Sequence, residues 1–185
     1  VAGGQGKTPT ALSLGAALKA SGQNIHFLSR GYGGSLTEPL QVDPISHTAK
    51  DVGDEPLLLA EVAPAWISVD RRAGVEAAHS KGAEIIVMDD GFQNPAVKKD
   101  LSIIVIDGET GFGNGRLIPA GPLREGVAVG LSRAQAIVII GEDKFKLRTA
   151  LVEITRSSNQ TPVKTLAARL KPDSAAAVLK DQKVY

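Results

Sequence analysis

The feature that most constrains this chain is the segment GGQGKT at residues 3–8, which a helical pattern at residues 9–20 follows directly. Glycines let backbone N–H groups close around phosphate oxygens, and the positive end of the next helix points at the same anion. A lysine in this motif bridges the outer phosphates, and the threonine hydroxyl binds Mg²⁺. The segment therefore predicts a nucleotide-phosphate site formed by Ala2, Gly3, Gly4, Gln5, Gly6, Lys7 and Thr8.

This segment departs from the full phosphate-loop motif at one position. The pattern G-x-x-x-x-G-K-[ST] begins with glycine, whereas the corresponding residue here is Val1. The simpler interpretation is a glycine-rich turn that caps a helix. We favour the phosphate site, because G-x-G-K-T followed by an amphipathic helix seldom arises by chance.

Short apolar runs alternate with helical patterns, which predicts an α/β fold of the P-loop NTPase type, with a mostly parallel sheet flanked by helices. We predict strands at residues 24–29, 40–43, 65–69, 84–88, 101–106 and 136–140, and helices at 9–20, 53–62, 71–81 and 144–154. Residues 155–160 are polar and are typical of a linker. We therefore predict a nucleotide-binding kinase domain at 1–154. A second, smaller α/β unit is predicted to begin at 162–185, with a strand at 163–170 and a helix at 174–180.

Two adjacent acids follow the apolar run at residues 85–88, namely Asp89 and Asp90. Strand ends in open α/β sheets meet at one edge, where ligands bind, so these acids are expected to face the phosphate loop. An acid in this place holds Mg²⁺ or its water shell. An ordinary Asp-Asp-Gly turn is the alternative, and the presence of the phosphate loop favours metal binding.

The other candidates are acids and arginines that the residues alone do not assign. Asp54 and Glu55, in VGDEP, lie where a helix begins, and acids are common in first helical turns; the alternative interpretation is a general base for an acceptor hydroxyl. Long loops in compact domains are usually functional, and residues 109–126 form one. Arginines can clamp phosphate through two hydrogen bonds, but solvated surface charge is the simpler interpretation of each one. The arginines concerned are Arg30, Arg71, Arg72, Arg116 and Arg124.

Composition limits the class of partner. The net charge is +1, and the chain has one Trp, two Tyr and four Phe, so we expect no nucleic-acid partner. No cysteine is present, which excludes disulfides and thiolate chemistry. No apolar run approaches the roughly 20 residues of a membrane span. The chain starts inside the phosphate loop and stops at the start of a strand, so we expect a fragment whose anchor or second half lies elsewhere.

Five motifs together resemble the tetraacyldisaccharide 4′-kinase family, the lipid A 4′-kinases of Gram-negative bacteria. They occur in the order GGQGKTP, LSRGYGG, VGDEPLLLA, MDDGFQ and GFGNGRLIPAGPLRE. The resemblance runs from residue 2 to 140 and continues weakly to the end, and the last motif is the most specific.

The resemblance implies transfer of the γ-phosphoryl group of ATP, with Mg²⁺, to the 4′-hydroxyl of a tetraacylated glucosamine disaccharide 1-phosphate in lipid A and lipopolysaccharide biosynthesis. It implies a monomer that acts peripherally at the cytoplasmic face of the inner membrane on this lipid. Asp54 becomes the catalytic base beside Lys7, and Thr8, Asp89 and Asp90 bind the metal. The substrate's phosphate and headgroup are assigned to Arg71 or Arg72, Asn114, Arg116, Arg124 and Glu125.

The chain also departs from the family pattern. Asn94 stands where the family has His, and no His follows His79, whereas a second-domain His assists the family's base. Family members have an N-terminal membrane-associated helix and nearly twice this length. We therefore expect this 185-residue chain to bind ATP with little turnover.

Two other classes of protein share a phosphate loop. A partitioning-type ATPase switch, which binds partners and membranes, carries a signature Lys before the two glycines, and this chain has Ala2 there. A GTP-binding regulatory module needs an N-K-x-D motif to read the base, and the sequence has no such run. Dependence of turnover on an acceptor distinguishes the kinase from the switch.

Overall fold

The computed structural model describes residues 6–171. These residues form two compact units, residues 6–104 and residues 105–171. The division into 1–154 and 162–185 stays a prediction, and the helix predicted at 174–180 lies outside the described residues.

The first unit is a four-stranded sheet with helices. Its sheet has the order β2-β3-β1-β4, in which β1 pairs in parallel with both β3 and β4, and β2 pairs antiparallel with β3. The elements are α1 (Lys7–Ala20), β1 (Ile25–Ser29), β2 (Leu40–Gln41), α2 (Ala49–Val52), α3 (Asp54–Val62), β3 (Ala65–Ile67), α4 (Arg71–Ser80) and β4 (Ile85–Met88).

The second unit contains a three-stranded sheet of order β5-β6-β7, in which β6 and β7 are parallel. Its first strand spans the division between the units. The elements are β5 (Ile103–Asp107), α5 (Val127–Leu131), β6 (Ala136–Ile140), α6 (Leu147–Ser157) and β7 (Lys164–Ala168). None of the helices within residues 6–171 has the length and apolar character that crossing a bilayer requires.

The predicted α/β class is confirmed, and the differences are local. The helix predicted at 144–154 is α6, which begins at Leu147. Asp143 sets that start, because its carboxylate accepts hydrogen bonds from the backbone N–H groups of Leu147 at 2.6 Å and Arg148 at 3.2 Å. The short helices α2 and α5 were not predicted, because four and five residues are too few to show a helical period.

Two glycines allow helices to approach β1 closely. A Cβ atom on Gly15 of α1 would lie 2.2 Å from Phe27 Cζ, and one on Gly74 of α4 would lie 2.7 Å from Leu28 Cδ1. Phe27 and Leu28 are fully buried, so the two helices cover the neighbouring residues of this strand. This packing holds the N-terminus of α1 near the carboxyl ends of β1 and β4, where the candidate site residues lie.

Candidate active site

The start of α1 is set by Gly6. Its φ of 75° lies in the left-handed region, which glycine adopts without strain. The carbonyl of Gly6 accepts hydrogen bonds from the backbone N–H of Thr10 at 3.1 Å and from Thr10 Oγ1 at 2.8 Å. The first turn carries no acidic side chain, so within this turn the positive helix end has no carboxylate partner. Ala2, Gly3, Gly4 and Gln5 lie outside the described residues.

Two side chains of this first turn contact the two aspartates that follow β4. Thr8 Oγ1 donates a hydrogen bond to Asp89 Oδ2 at 2.7 Å, across 81 positions of sequence. Lys7 Nζ lies 3.2 Å from Asp90 Oδ1. The structure therefore brings together at one sheet edge four of the residues that sequence analysis assigned to nucleotide and metal, namely Lys7, Thr8, Asp89 and Asp90.

Asp90 makes the turn after β4 in an unusual backbone conformation. Its φ is 53°, a value that residues other than glycine adopt at some cost, although Asp does so more often than most. The predicted Asp-Asp-Gly turn therefore exists, and its side chains also face α1. The turn interpretation and the site interpretation are thus compatible.

Asp89 lies in an environment that disfavours its charge. It is 3% exposed, and burial raises the pKa of its carboxyl, with a further increase from the charge of Asp90. The hydroxyl of Thr8 and the charge of Lys7 act in the opposite direction but do not cancel the effect. A cation beside Asp89 would relieve this cost, because it would favour the ionised form.

The acids at the start of α3 also reach this cluster. Asp54 is exposed, and its Oδ1 accepts a hydrogen bond from the backbone N–H of Glu55 at 3.0 Å. Burial raises the pKa of Glu55, and the charge of Asp89 raises it further, whereas the Thr8 hydroxyl and the charge of Lys7 act to lower it. The first turn of α3 therefore lies beside Thr8 and Asp89.

The two arginines at the start of α4 have different environments. Arg71 is 4% exposed, its Nη1 donates to the carbonyl of Ser68 at 2.5 Å, and its Nε has no hydrogen-bond partner within the described residues. Burial and the nearby charge of Arg30 lower the pKa of Arg71, whereas Asp90 and Asp89 act to raise it. Arg72 is exposed, and its Nε pairs with Glu76 Oε1 at 3.1 Å. Arg71 is thus near the aspartates, whereas Arg72 has a partner on its own helix.

The remaining candidates lie in the second unit, in the loop of residues 109–126. Asn114 joins two arms of this loop: its Nδ2 donates to the carbonyl of Ala120 at 2.8 Å, and its Oδ1 accepts from the backbone N–H of Arg116 at 3.1 Å. Glu125 Oε1 pairs with Arg133 Nη2 at 2.7 Å. The side chains of Arg116 and Arg124 are exposed.

Sequence analysis raised Glu55 and Arg30 as candidates but assigned neither of them to the site. Glu55 is next to Asp54 in a first helical turn, where acids are common for electrostatic reasons alone, so no sequence signal separates it from an ordinary turn residue. Arg30 follows β1 directly, and its position at a strand end was the available signal.

The donor set fits a magnesium ion. Thr8, Asp89 and Asp90 offer the hard oxygen ligands that Mg²⁺ prefers, and Mg²⁺ is usually held by one or two carboxylates together with substrate phosphates. Residues 6–171 contain no cluster of three or more His, Cys, Asp or Glu side chains that could hold a metal by itself. This arrangement suits a cation that arrives with a phosphate ligand better than a metal site built from protein ligands alone.

Comparisons with known proteins show similarity to one family. The family model described as LpxK, tetraacyldisaccharide-1-P 4′-kinase, matches residues 1–184. A tetraacyldisaccharide 4′-kinase of Rhodospirillum centenum is 57% identical over 96% of this chain and 50% of its own length. The Rhodospirillum rubrum protein of the same name is 51% identical over 99% of this chain and 54% of its own length.

A solved structure has the same fold. The crystal structure of LpxK from Aquifex aeolicus in complex with ATP matches with a TM-score of 0.65 and 24% identity, over 99% of this chain and 71% of that one. The chain spans about half the length of the curated relatives it matches. The family model and the identities together show that this chain belongs to the tetraacyldisaccharide-1-P 4′-kinase family.

Proposed function

We propose that this chain supplies the ATP-binding part of a kinase. The reaction transfers the γ-phosphoryl group of ATP to the 4′-hydroxyl of a tetraacylated glucosamine disaccharide 1-phosphate, a step of lipid A biosynthesis. Two contacts carry the proposal: Lys7 pairs with Asp90, and Thr8 donates a hydrogen bond to Asp89. Lys7 and Thr8 directly follow a glycine-rich segment. Family membership supports the choice of acceptor.

The nucleotide is assigned to residues 2–8 and the first turn of α1. Phosphoryl transfer depends mainly on alignment and on neutralising charge, with little covalent help from the protein. When ATP is bound, the ammonium group of Lys7 would contact the outer phosphates. This contact would replace the ion pair of Lys7 with Asp90. Mg²⁺, bound by Thr8 with Asp89 and Asp90, supplies further neutralisation when it is present.

Asp54 is proposed as the base that orients the acceptor hydroxyl and takes its proton. Its position supports this role, because Asp54 is exposed and adjoins Glu55, whose pKa is affected by Asp89 and Thr8. An acceptor hydroxyl beside Asp54 would therefore be close to the metal side of the nucleotide. A general base of this kind contributes a factor of about 10²–10⁴ to the rate.

Binding of the lipid headgroup and its phosphate is assigned to an arginine at the start of α4 and to the loop of residues 109–126. Burial and proximity to the aspartates favour Arg71 over Arg72 for a role at this site. In the loop, Asn114 holds the turn that presents Arg116. The loop assignments are Asn114, Arg116, Arg124 and Glu125.

We also propose that the enzyme is a monomer, acts peripherally at the cytoplasmic face of the inner membrane and has no nucleic-acid partner. The support is chemical, because a tetraacylated acceptor stays in the lipid phase, whereas ATP is supplied from the cytoplasm. A partitioning-type ATPase switch is the less favoured function, since the family comparison points to the kinase.

The test measures acceptor-dependent turnover. Because the chain spans about half the length of its relatives, we would assay the 185-residue chain and a chimera in which residues 1–185 replace the aligned part of the Rhodospirillum rubrum protein. We expect the 185-residue chain to bind Mg·ATP with little turnover, and the chimera to form the 4′-phosphorylated lipid only when the lipid disaccharide is present. Equal ATP hydrolysis by the chimera with and without the lipid would favour the ATPase switch.

A further inference from the structure

We propose that the loop of residues 30–34 (RGYGG), here called the glycine loop, positions Asp54 through backbone contact with the turn of residues 51–55, here called the acidic turn. The inference rests on the proposed role of Asp54 as the base. It assigns a positioning function to Gly34 and Gly53, which touch neither nucleotide nor metal in the assignment above.

The contact is between backbones and leaves no room for a side chain. A Cβ atom on Gly34 would lie 2.6 Å from Asp51 O, 2.7 Å from Val52 C and 2.8 Å from Gly53 N. A Cβ atom on Gly53 would lie 2.5 Å from Tyr32 O. Real Cβ atoms do not approach backbone so closely, because packed interiors leave no such overlap. Each glycine is therefore required by the other segment.

Hydrogen bonds fix the register of the two segments. The backbone N–H groups of Ser35 and Leu36, which follow the glycine loop, donate to the carbonyls of Lys50 at 3.0 Å and Asp51 at 2.9 Å. Gly53 lies between α2 and α3 and caps both helices, with a φ of 88°, a conformation that favours glycine. The direction in which α3 starts, and with it the place of Asp54, depends on this single residue.

The glycine loop connects this turn to the metal-side acids through β1. β1 ends at Ser29 and pairs in parallel with β4, and Asp89 N donates to the carbonyl of Leu28 at 3.0 Å. One strand end thus adjoins Asp89 and also leads directly into the loop that contacts Gly53. Asp54, the proposed base, and Asp89, the proposed metal ligand, are 35 positions apart in sequence, and the position of each depends on the end of β1.

The other end of α3 is also held. Lys19, near the end of α1, donates from Nζ to the carbonyl of Val62, the last residue of α3, at 2.7 Å. Leu59 between the two ends is fully buried. Because the far end of α3 is held by α1, a displacement of the acidic turn moves Asp54 and Glu55 relative to the rest of the helix.

The decisive variant is Gly34→Ala, measured as kcat in the chimera and as Mg·ATP affinity. The added methyl group meets backbone atoms of the acidic turn, so we expect kcat to fall about tenfold or more, since small misplacements of a catalytic group have effects of this size. Because the atoms nearest to the added Cβ belong to Asp51, Val52 and Gly53, the dissociation constant for Mg·ATP should stay within about threefold. A purely structural role would lower both together.

A matched variant separates contact from a general loss of stability. Gly22→Ala, just after α1 and outside the proposed site, introduces an unfavourable φ of 85° but has no atom within 4 Å of the added Cβ. It should keep kcat within about threefold, although its strain is expected to lower stability by about 1–3 kcal/mol. If Gly34→Ala keeps kcat within twofold, or if it loses ATP affinity together with kcat, the inference is wrong.

A measurement on the unchanged 185-residue chain keeps the inference testable if Gly34→Ala does not fold, or if the chimera shows no turnover. Native-state hydrogen exchange should show the amides of Leu36 and Gly53 opening together, with the same dependence on added denaturant. If the Leu36 amide opens while Gly53 stays protected, the loop does not hold the turn and the inference fails. Absence of turnover in the unaltered chimera would instead overturn the proposed function.

Discussion

The cluster around Thr8 and the loop of residues 109–126 hold their polar side chains in different ways. The Thr8–Asp89 bond joins residues 81 positions apart, so it exists only when α1, β1 and β4 have assembled. In the loop, the bonds of Asn114 reach only two and six positions along the chain. The first arrangement depends on the packed sheet, and the second depends on local turns. Substitutions should therefore act globally on stability in the cluster and locally on order in the loop.

The largest expected effect is on the rate, through Asp54. In the chimera, Asp54→Ala should lower kcat by about 10²–10⁴, because the acceptor hydroxyl loses its base. The affinity for Mg·ATP should change by less than about twofold, since the proposed role of Asp54 is to bind the acceptor hydroxyl. Lys7 and Thr8 are the residues proposed to bind the nucleotide. Steady-state kinetics and calorimetric titration of ATP measure the two quantities.

The matched control for this prediction is Glu61→Ala, which removes an exposed acid near the other end of the same helix. It should leave kcat unchanged. An unaltered kcat in Asp54→Ala would remove the base assignment, and with it the need for a positioned acidic turn.

The loop should respond locally. Asn114→Ala removes two hydrogen bonds, each worth about 0.5–1.5 kcal/mol, that join the arms of the loop. We expect faster amide exchange at residues 115–123 and about a tenfold lower kcat/KM for the lipid acceptor, with ATP affinity unchanged. The control is Glu109→Ala, at the first residue of the same loop. It breaks an exposed ion pair at 3.4 Å with Lys144, which lies outside the loop. A loss of ATP affinity in Asn114→Ala would show that the loop is not an independent local structure.

The cluster should become more stable when one buried charge is removed. The pKa of Asp89 is raised in the folded state by burial, so the folded state holds the proton more tightly than the unfolded chain, whose reference value is 3.8. As pH rises from the unfolded-state pKa of Asp89 to its higher folded-state pKa, the contribution of this carboxyl to the free energy of unfolding therefore falls. It stays low at higher pH. Without Mg²⁺, Asp89→Asn should raise Tm by a few degrees at pH 8 and by less at acidic pH.

Thermal unfolding monitored by the fluorescence of the single tryptophan, Trp66, measures this difference, because Trp66 is buried in the same unit. Asp100→Asn, at an exposed acid, should give no gain. If Asp89→Asn lowers Tm at both pH values, its hydrogen bond with Thr8 outweighs the cost of burying its charge.

The smallest expected effect is at Arg72. Its ion pair with Glu76 is exposed and has i,i+4 spacing, so Arg72→Ala should change the free energy of unfolding by about 0.3–0.5 kcal/mol and leave kcat unchanged. Arg71→Ala removes a buried charged hydrogen bond and should lower stability by about 1.5–3 kcal/mol. Equal effects of the two substitutions would contradict the distinction between these neighbours. Chemical denaturation of both variants measures it.

The same contrast explains which features the sequence could predict. The strand before Asp89 and the helix after Gly6 have strong local patterns, and the parallel-sheet rule places their ends at one edge. The effect of Thr8 and Asp89 on the pKa of Glu55 depends on where α3 starts, and we infer that backbone packing between Gly34 and Gly53 sets that start. No local pattern encodes a distance between two loops, so this proximity could not be predicted.

The loop of residues 109–126 shows the opposite limit. Its glycines and prolines predicted an aperiodic segment, which it is, but not the hydrogen bonds that give it internal order. Asn114 was assigned to the substrate from family resemblance, and its amide groups hold the turn around Arg116. Side-chain amides suit both roles, so residue type alone does not distinguish a ligand from a support.

The most direct test of the central claim is a double-mutant cycle on Mg·ATP binding with Thr8→Ala and Asp89→Asn in the 185-residue chain. If both side chains serve one magnesium–nucleotide site, each single variant loses most of the increase in ATP affinity that Mg²⁺ provides. The double variant should then be little weaker than either, with a coupling energy of about 0.5–3 kcal/mol. Full retention of the Mg²⁺ dependence in both single variants, or strictly additive losses, would show that Thr8 and Asp89 do not share a metal site.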